Sequence, residues 1–77
     1  MLVWHVTTMK KLSRYKETGY IKPPVRGWVN IEAAERFSKQ TGRRIIIRLK
    51  FDKDVQKLEG HNGEAVYTLS PVSLENI

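Results

Sequence analysis

The stretch that decides the fold is RIIIRLKF at positions 44–51, because its side chains alternate between two kinds. Its odd positions are apolar throughout, and its even positions hold three cations and one isoleucine: Arg44, Ile46, Arg48 and Lys50. Successive side chains of a β-strand point to opposite faces of the sheet. The pattern therefore predicts a strand with one face against a core and a cationic face toward water or a ligand.

Three further strands and two helices are predicted on either side of this stretch. Positions 2–6, 25–29 and 64–69 combine β-branched and aromatic residues in runs of strand length. The polar, glycine-containing segment 52–63 predicts turns, and 72–77 predicts a short terminal turn. We therefore expect an α+β fold, a small and mostly antiparallel sheet with two helices, in one domain spanning 1–77.

Both helices have start and stop residues in the sequence. Thr7 or Thr8 offers a hydroxyl to cap the first helix, and Asn30 offers its amide oxygen to the second. Glycines at positions 19 and 42 suit the left-handed residue that ends a helix. Helical spacing predicts that each helix buries one apolar stripe, namely Met9, Leu12 and Tyr15 in the first and Ile31, Ala34 and Phe37 in the second.

The charge is positive and unevenly distributed over the 77 residues, with 14 Lys and Arg against 8 Asp and Glu. Positions 1–30 carry six cations and one carboxylate (+5), positions 31–50 carry six and two (+4), and positions 51–77 carry two and five (−3). Such an asymmetric molecule turns its first two thirds toward an anion. The partners to expect are therefore a nucleotide, a nucleic acid or an acidic protein.

Composition excludes several other classes. There is no cysteine, which removes disulfides and thiol chemistry. The longest apolar run is three isoleucines, against about 20 residues for a membrane span. No basic leader precedes the first strand, so we expect a soluble, cytoplasmic protein without a membrane partner. His5 and His61 lie far apart and form no metal-binding spacing, so we predict no metal site.

The order of short motifs resembles a known family. The motifs are WHVTT at 4–8, GYI at 19–21, VNIEAAERF at 29–37, NGEAVY at 62–67 and SPVSLENI at 70–77. In this order they resemble ADP-ribosyltransferase-like domains, which include diphtheria-toxin-like transferases and RNA 2′-phosphotransferases. Asn62 stands where the family has the first glutamate of a pair, and GWV at 27–29 replaces a Ser-Thr-Ser-like segment. The likeness is thus to a reduced or degenerate member with a minimal version of that architecture.

The resemblance implies a cleft that binds NAD. His5 would hydrogen-bond a ribose hydroxyl, Thr7 would position the dinucleotide, and Arg26 and Arg48 would lie near the pyrophosphate. Glu64 would be the catalytic residue, stabilising the positive charge on the ribose as nicotinamide departs. In an active protein the reaction would be cleavage of the NAD glycosidic bond with ADP-ribosyl transfer.

The same residues also allow other interpretations. His5 can be a structural histidine, Thr7 a helix cap and Glu64 a solvated carboxylate. The basic residues of 1–50, interleaved with Trp4 and Trp28, also suit a nucleic-acid-binding module. A protein-interaction module that meets an acidic partner is the third alternative. A thin core and a cationic strand face also make a homodimer plausible.

Overall fold

The computed structural model describes residues 1–74, and it contains two helices and seven strands in that range. The elements in chain order are β1 (Leu2–Thr7), α1 (Met9–Thr18), β2 (Tyr20–Ile21), β3 (Val25–Trp28), α2 (Ile31–Thr41), β4 (Ile45–Lys50), β5 (Val55–Lys57), β6 (Ala65–Thr68) and β7 (Val72–Ser73). They form a five-stranded sheet in the order β4-β1-β3-β6-β5 and a two-stranded sheet of β2 and β7. The predicted α+β class with two helices and antiparallel pairing is confirmed.

Both helices end where the sequence predicts. The Thr8 hydroxyl accepts a hydrogen bond from the Lys11 amide at 3.2 Å and caps α1. The Asn30 side chain accepts one from the Ala33 amide at 2.8 Å and caps α2. Glycines 19 and 42 close the helices in the left-handed region, with φ of 82° and 75°. Since Thr8 is the cap, the interpretation of Thr7 as a cap is wrong, and Thr7 is instead buried in β1.

The larger sheet has a seam between β1 and β3. β1 pairs with β4 along six consecutive residue pairs, whereas β1 and β3 share the single pair Trp4 and Trp28. Beyond that pair, the imidazole of His5 spans the gap and bonds to the backbone carbonyl of Arg26. The sheet therefore has two parts, β4-β1 and β3-β6-β5. Their backbone ladders meet at one residue pair, and beyond it, toward the end of β1, the side chain of His5 bridges them.

A buried cluster fills the space between one face of the larger sheet and the layer formed by α1, β2 and β7. Its fully buried members are Val3, Ile21, Val25, Leu49, Phe51, Val66 and Val72. Alternation along β3 places Trp28 on the opposite face, where it meets Phe37 of α2. α2 therefore covers the second face, and its residues Ala33 and Ala34 are buried.

Several local predictions are wrong. Met9 is 62 % exposed, so only Leu12 and Tyr15 of the predicted α1 stripe turn inward. The segment 52–63, predicted as turns, contains β5, and positions 72–73, predicted as part of a turn, form β7. Positions 75–77, which end both that predicted turn and the motif at 70–77, lie outside the described residues. None of the helices within residues 1–74 is long and apolar enough to cross a membrane.

Candidate functional site

A cavity of about 470 Å³ opens at the seam between β1 and β3. His5 and Val6 of β1 border it on one side, and Arg26, Gly27 and Trp28 of β3 border it on the other. Side chains from α1, β2, α2 and β6, and from the connecting segments after β2, α2 and β5, complete the wall. The cavity exists because β1 and β3 stop pairing after Trp4, which leaves the space that further cross-strand pairs would fill.

Five cationic side chains line this cavity, and we call them the cavity cations: Lys11, Arg14, Lys22, Arg26 and Arg43. No carboxylate is among the lining residues. Within residues 1–74 the salt bridge that forms, between Arg36 and Glu64, involves none of the cavity cations. A concave site with several cations and no counter-charge attracts an anionic ligand.

Aromatic rings form another part of the cavity wall. The ring of Trp28 lies 5.3 Å from that of Phe37 in a tilted arrangement and 5.5 Å from that of His61 edge to face. All three side chains line the cavity and keep partial exposure. Such rings favour a planar group packed against them. The wall thus combines a surface for a flat ring with charges for an anion.

A chain of hydrogen bonds runs across the seam through His5. Its Nδ1 lies 2.6 Å from the carbonyl oxygen of Arg26, which can only accept, so Nδ1 carries the proton. Nε2 of the neutral ring then accepts from the Tyr15 hydroxyl at 3.3 Å. The Tyr15 oxygen in turn accepts from the hydroxyl of Thr7 at 3.4 Å. We call this chain of Thr7, Tyr15, His5 and Arg26 the His5 relay.

The direction of the hydrogen bonds in the His5 relay depends on the charge of the imidazole. Burial lowers the pKa of His5 below its usual value of 6.5, the Arg26 carbonyl acts against this, and the nearby charges of Lys11 and Arg43 lower the pKa further. A protonated ring would have to donate from both nitrogens, and its Nε2 would no longer accept from Tyr15. His5 is therefore neutral at pH 7 and holds β1 to β3 and α1.

We expect acid to destabilise the protein through His5. Because the folded-state pKa is lower than the unfolded-state pKa, the unfolded chain binds more protons in between. The contribution of His5 is therefore fully present above pH 6.5 and is lost as pH falls through 6.5 toward the lowered folded-state pKa. Urea unfolding at several pH values, with His5→Gln as reference, measures this. An equal pH dependence of wild type and His5→Gln from pH 7.5 to 5 would contradict it.

Thr7, predicted to position the dinucleotide, does not line the cavity. It is 1 % exposed, and its hydroxyl donates to Tyr15 at the far end of the His5 relay. His5 and Thr7 lie on the same face of β1, two residues apart, and both are tied to Tyr15. The structure thus brings these two predicted residues together, with Thr7 behind the cavity wall.

Glu64 lies in a second, smaller hollow of about 200 Å³. One carboxylate oxygen, Oε2, accepts from the Asn30 amide at 3.1 Å and from the Arg36 guanidinium at 3.0 Å. The two hollows share Trp28, Phe37 and His61 as lining residues, but His5 lines only the first and Glu64 only the second. The structure therefore does not bring the predicted catalytic carboxylate and His5 into one cavity.

We expect Glu64→Gln to lower the free energy of unfolding by about 1 kcal/mol. The amide can still accept from Asn30, but it loses the ion pair with Arg36, whose side chain is 62 % exposed and therefore contributes modestly. Urea denaturation measures the change. Glu59→Gln, an exposed carboxylate outside both hollows, is the matched control. Equal stability of both variants would contradict a structural role for Glu64.

The two arginines predicted to lie near the pyrophosphate, Arg26 and Arg48, occupy different places in the structure. Arg26 lines the cavity, and its backbone carbonyl anchors the His5 relay. Arg48 pairs across strands with Trp4, and its guanidinium lies over the indole at 4.6 Å from the ring centre. Arg48 does not line the cavity, so the predicted grouping of Arg26 and Arg48 beside one ligand is not found there.

The sequence interpretation missed most of the cavity cations. Arg14 and Tyr15 lie three and four residues after Lys11, the helical spacings that place side chains on one side of α1. That spacing could have indicated that the three side chains share one site, although a lysine and an arginine on a helix usually face solvent. Lys22 and Arg43 lie in connecting segments, where no periodicity indicates direction.

The donor set of the site is nitrogen-rich and cationic. No group of three or more His, Cys, Asp or Glu side chains within residues 1–74 could hold a metal ion.

No family model, curated protein or solved structure matches this chain, so the likeness to ADP-ribosyltransferase-like domains depends on its sequence motifs alone.

Proposed function

We propose that this protein binds NAD, or another nucleotide or ADP-ribosylated molecule, in the cavity between β1 and β3. One observation carries the proposal: five cations without a carboxylate line the same concave space as a cluster of aromatic rings. A nucleotide presents the complementary pair of features, a negatively charged phosphate group and a flat base. The volume of about 470 Å³ is in the usual range for small-molecule sites.

The cavity cations are suited to a diphosphate. Arg14, Arg26 and Arg43 can each offer two parallel N–H donors to phosphate oxygens, and the lysines add compact charges. Since their charge is not neutralised within residues 1–74, a ligand does not have to displace an internal carboxylate. Phosphate binding at this place therefore gains charge-assisted hydrogen bonds without breaking existing ones.

The ribose contact predicted for His5 has a specific cost. Both nitrogens of the neutral imidazole already have partners, Arg26 at Nδ1 and Tyr15 at Nε2. A ribose hydroxyl can therefore reach Nε2 only by replacing the Tyr15 hydroxyl. The bond to Tyr15 is long, at 3.3 Å, which makes this the weaker of the two contacts to exchange.

Catalysis by Glu64 remains a prediction that is separate from binding. Stabilising a cationic ribose needs the carboxylate beside the sugar, whereas Glu64 lies in the neighbouring hollow and is bonded to Asn30 and Arg36. A ligand would have to extend past Trp28 to approach it. Glu64→Gln should abolish any NAD glycohydrolase activity, and activity retained in the folded variant would refute this role.

The test of binding is a titration of NAD into the ¹⁵N-labelled protein, followed by amide chemical shifts. We expect saturable shifts at Lys11, Tyr15, Arg26 and the Trp28 indole, because these groups face the cavity. Adenosine, which has a base and ribose but no phosphate, should bind at least about tenfold more weakly, because charge-assisted bonds are lost. No shift at millimolar NAD, ADP-ribose or AMP would end the proposal.

A further inference from the structure

β4 is an open edge of the five-stranded sheet. Its ladder partner is β1, to which it pairs without interruption from Ile45 to Lys50. In an antiparallel ladder, alternate residues direct their N–H and C=O groups away from the partner strand. The ladder is regular, without a bulge, and the strand contains no proline, so two of the devices that prevent further pairing are missing. A third device, exposed cations, is present and opposes pairing with any strand that lacks negative charge. Among residues 1–74, half of the backbone groups of β4 thus have no ladder partner and can pair with another strand.

The side chains along this edge have a defined character. Arg44, Arg48 and Lys50 are exposed, and the isoleucines at 45, 46 and 47 are each partly exposed. Positions 44–51 contain three cations and no carboxylate. The other edge strand, β5, has only three residues. β4 is therefore the longer edge, and it offers backbone bonds, apolar contacts and positive charge together.

We propose that β4 takes up an extended acidic segment of a partner protein as a sixth strand, with acidic and apolar residues alternating along it. The backbone edge selects a polypeptide, because its donors and acceptors repeat at the spacing of a strand. The cations select its charge, since opposite charges on neighbouring strands are favourable and like charges are not.

A second copy of this chain is a poor occupant of the same edge. Antiparallel pairing of two β4 strands would bring the three cations of 44–51 in each chain together, with no carboxylate in either segment. The inference is also independent of the nucleotide proposal, because no residue of β4 lines the cavity at the seam. Either proposal can fail without the other.

The probe is a capped eight-residue peptide of alternating glutamate and valine, titrated into the labelled protein at low salt. We expect saturable shifts confined to β4 and its neighbours, together with slower amide hydrogen exchange at alternate β4 residues. The same peptide with lysine in place of glutamate should bind at least tenfold more weakly. Raising the salt to 0.5 M should also weaken binding at least tenfold, because the charges are exposed.

Two charge-reversal variants decide where the peptide binds. Arg44→Glu with Lys50→Glu should weaken the glutamate peptide at least tenfold, and Arg44→Gln with Lys50→Gln serves if the first variant does not fold. Lys16→Glu with Lys57→Glu changes the same charge at exposed positions of α1 and β5 and should leave affinity within twofold. Shifts at the seam cavity, unaltered β4 exchange, or an eight-nucleotide oligothymidylate that shifts β4 amides more strongly than the peptide would overturn the proposal.

Discussion

Gly27→Ala is expected to lower the free energy of unfolding by about 1–3 kcal/mol, although it adds a single methyl group. A Cβ atom at this position would lie 2.5 Å from Cγ2 and 2.8 Å from Cβ of Val3, and 3.3 Å from the ring of Phe51. Both neighbours are fully buried and cannot move into solvent. For a domain of this size, with a total stability of about 4–12 kcal/mol, such a loss is large. Urea denaturation of the variant measures it.

The cause can be separated from a general intolerance of β3 to substitution. Val3→Ala removes the closest atom that the new methyl group meets, so the double variant Val3→Ala with Gly27→Ala should be less destabilised than the sum of the single variants. Strict additivity of the two changes would show that the overlap with Val3 is not the cause. The backbone of Gly27 is not in the left-handed region, so a conformational preference for glycine does not account for the loss.

The second large effect is expected in the affinity for NAD. Replacing Lys11 and Arg43 together by glutamine should weaken binding roughly a hundredfold, or about 2.7 kcal/mol, because each loses a charge-assisted contact to phosphate. These two cavity cations also lower the pKa of His5. The same variant should therefore raise the pKa of His5, which an NMR titration of its imidazole reports without any ligand.

The matched control for this variant removes the same charge elsewhere. Lys16→Gln with Lys39→Gln changes two exposed lysines outside the cavity, and it should leave both the NAD affinity and the His5 titration close to wild type. If the two double variants lose affinity equally, net charge and not the cavity attracts the ligand. If the Lys11 and Arg43 variant shifts the His5 pKa but binds NAD normally, the cations face the cavity without binding the phosphates.

The regular parts of the fold were predictable because local chemistry determines them. Alternation between 44 and 51 predicted β4, and Asn30 with Gly42 delimited α2. β2, β5 and β7 were missed because strands of two or three residues carry no readable period, and their form depends on partners far along the chain. The prediction that Met9 is buried was wrong because helical spacing gives the direction of a stripe but not where along the helix contact begins: Met9, the first residue of α1, is 62 % exposed, whereas Leu12 is buried.

The candidate site was only partly predictable. His5 and Arg26 do face each other, but their closest contact uses the Arg26 backbone carbonyl, which no side-chain motif encodes. Arg48 and Glu64 do not line the cavity with His5, because the strand register decides their surroundings. Trp4 lies across from Arg48, and Asn30 at the start of α2 lies beside Glu64. The cavity itself follows from the early end of pairing between β1 and β3, a tertiary feature without a local signature.

The seam also determines how the molecule can move. Because β1 and β3 share one residue pair, we expect that a small rotation about Trp4 and Trp28 can change the cleft angle while both halves keep their own ladders. The imidazole of His5 bridges the two parts and opposes that rotation. We therefore expect a ligand in the cleft to change the angle between the two ladders.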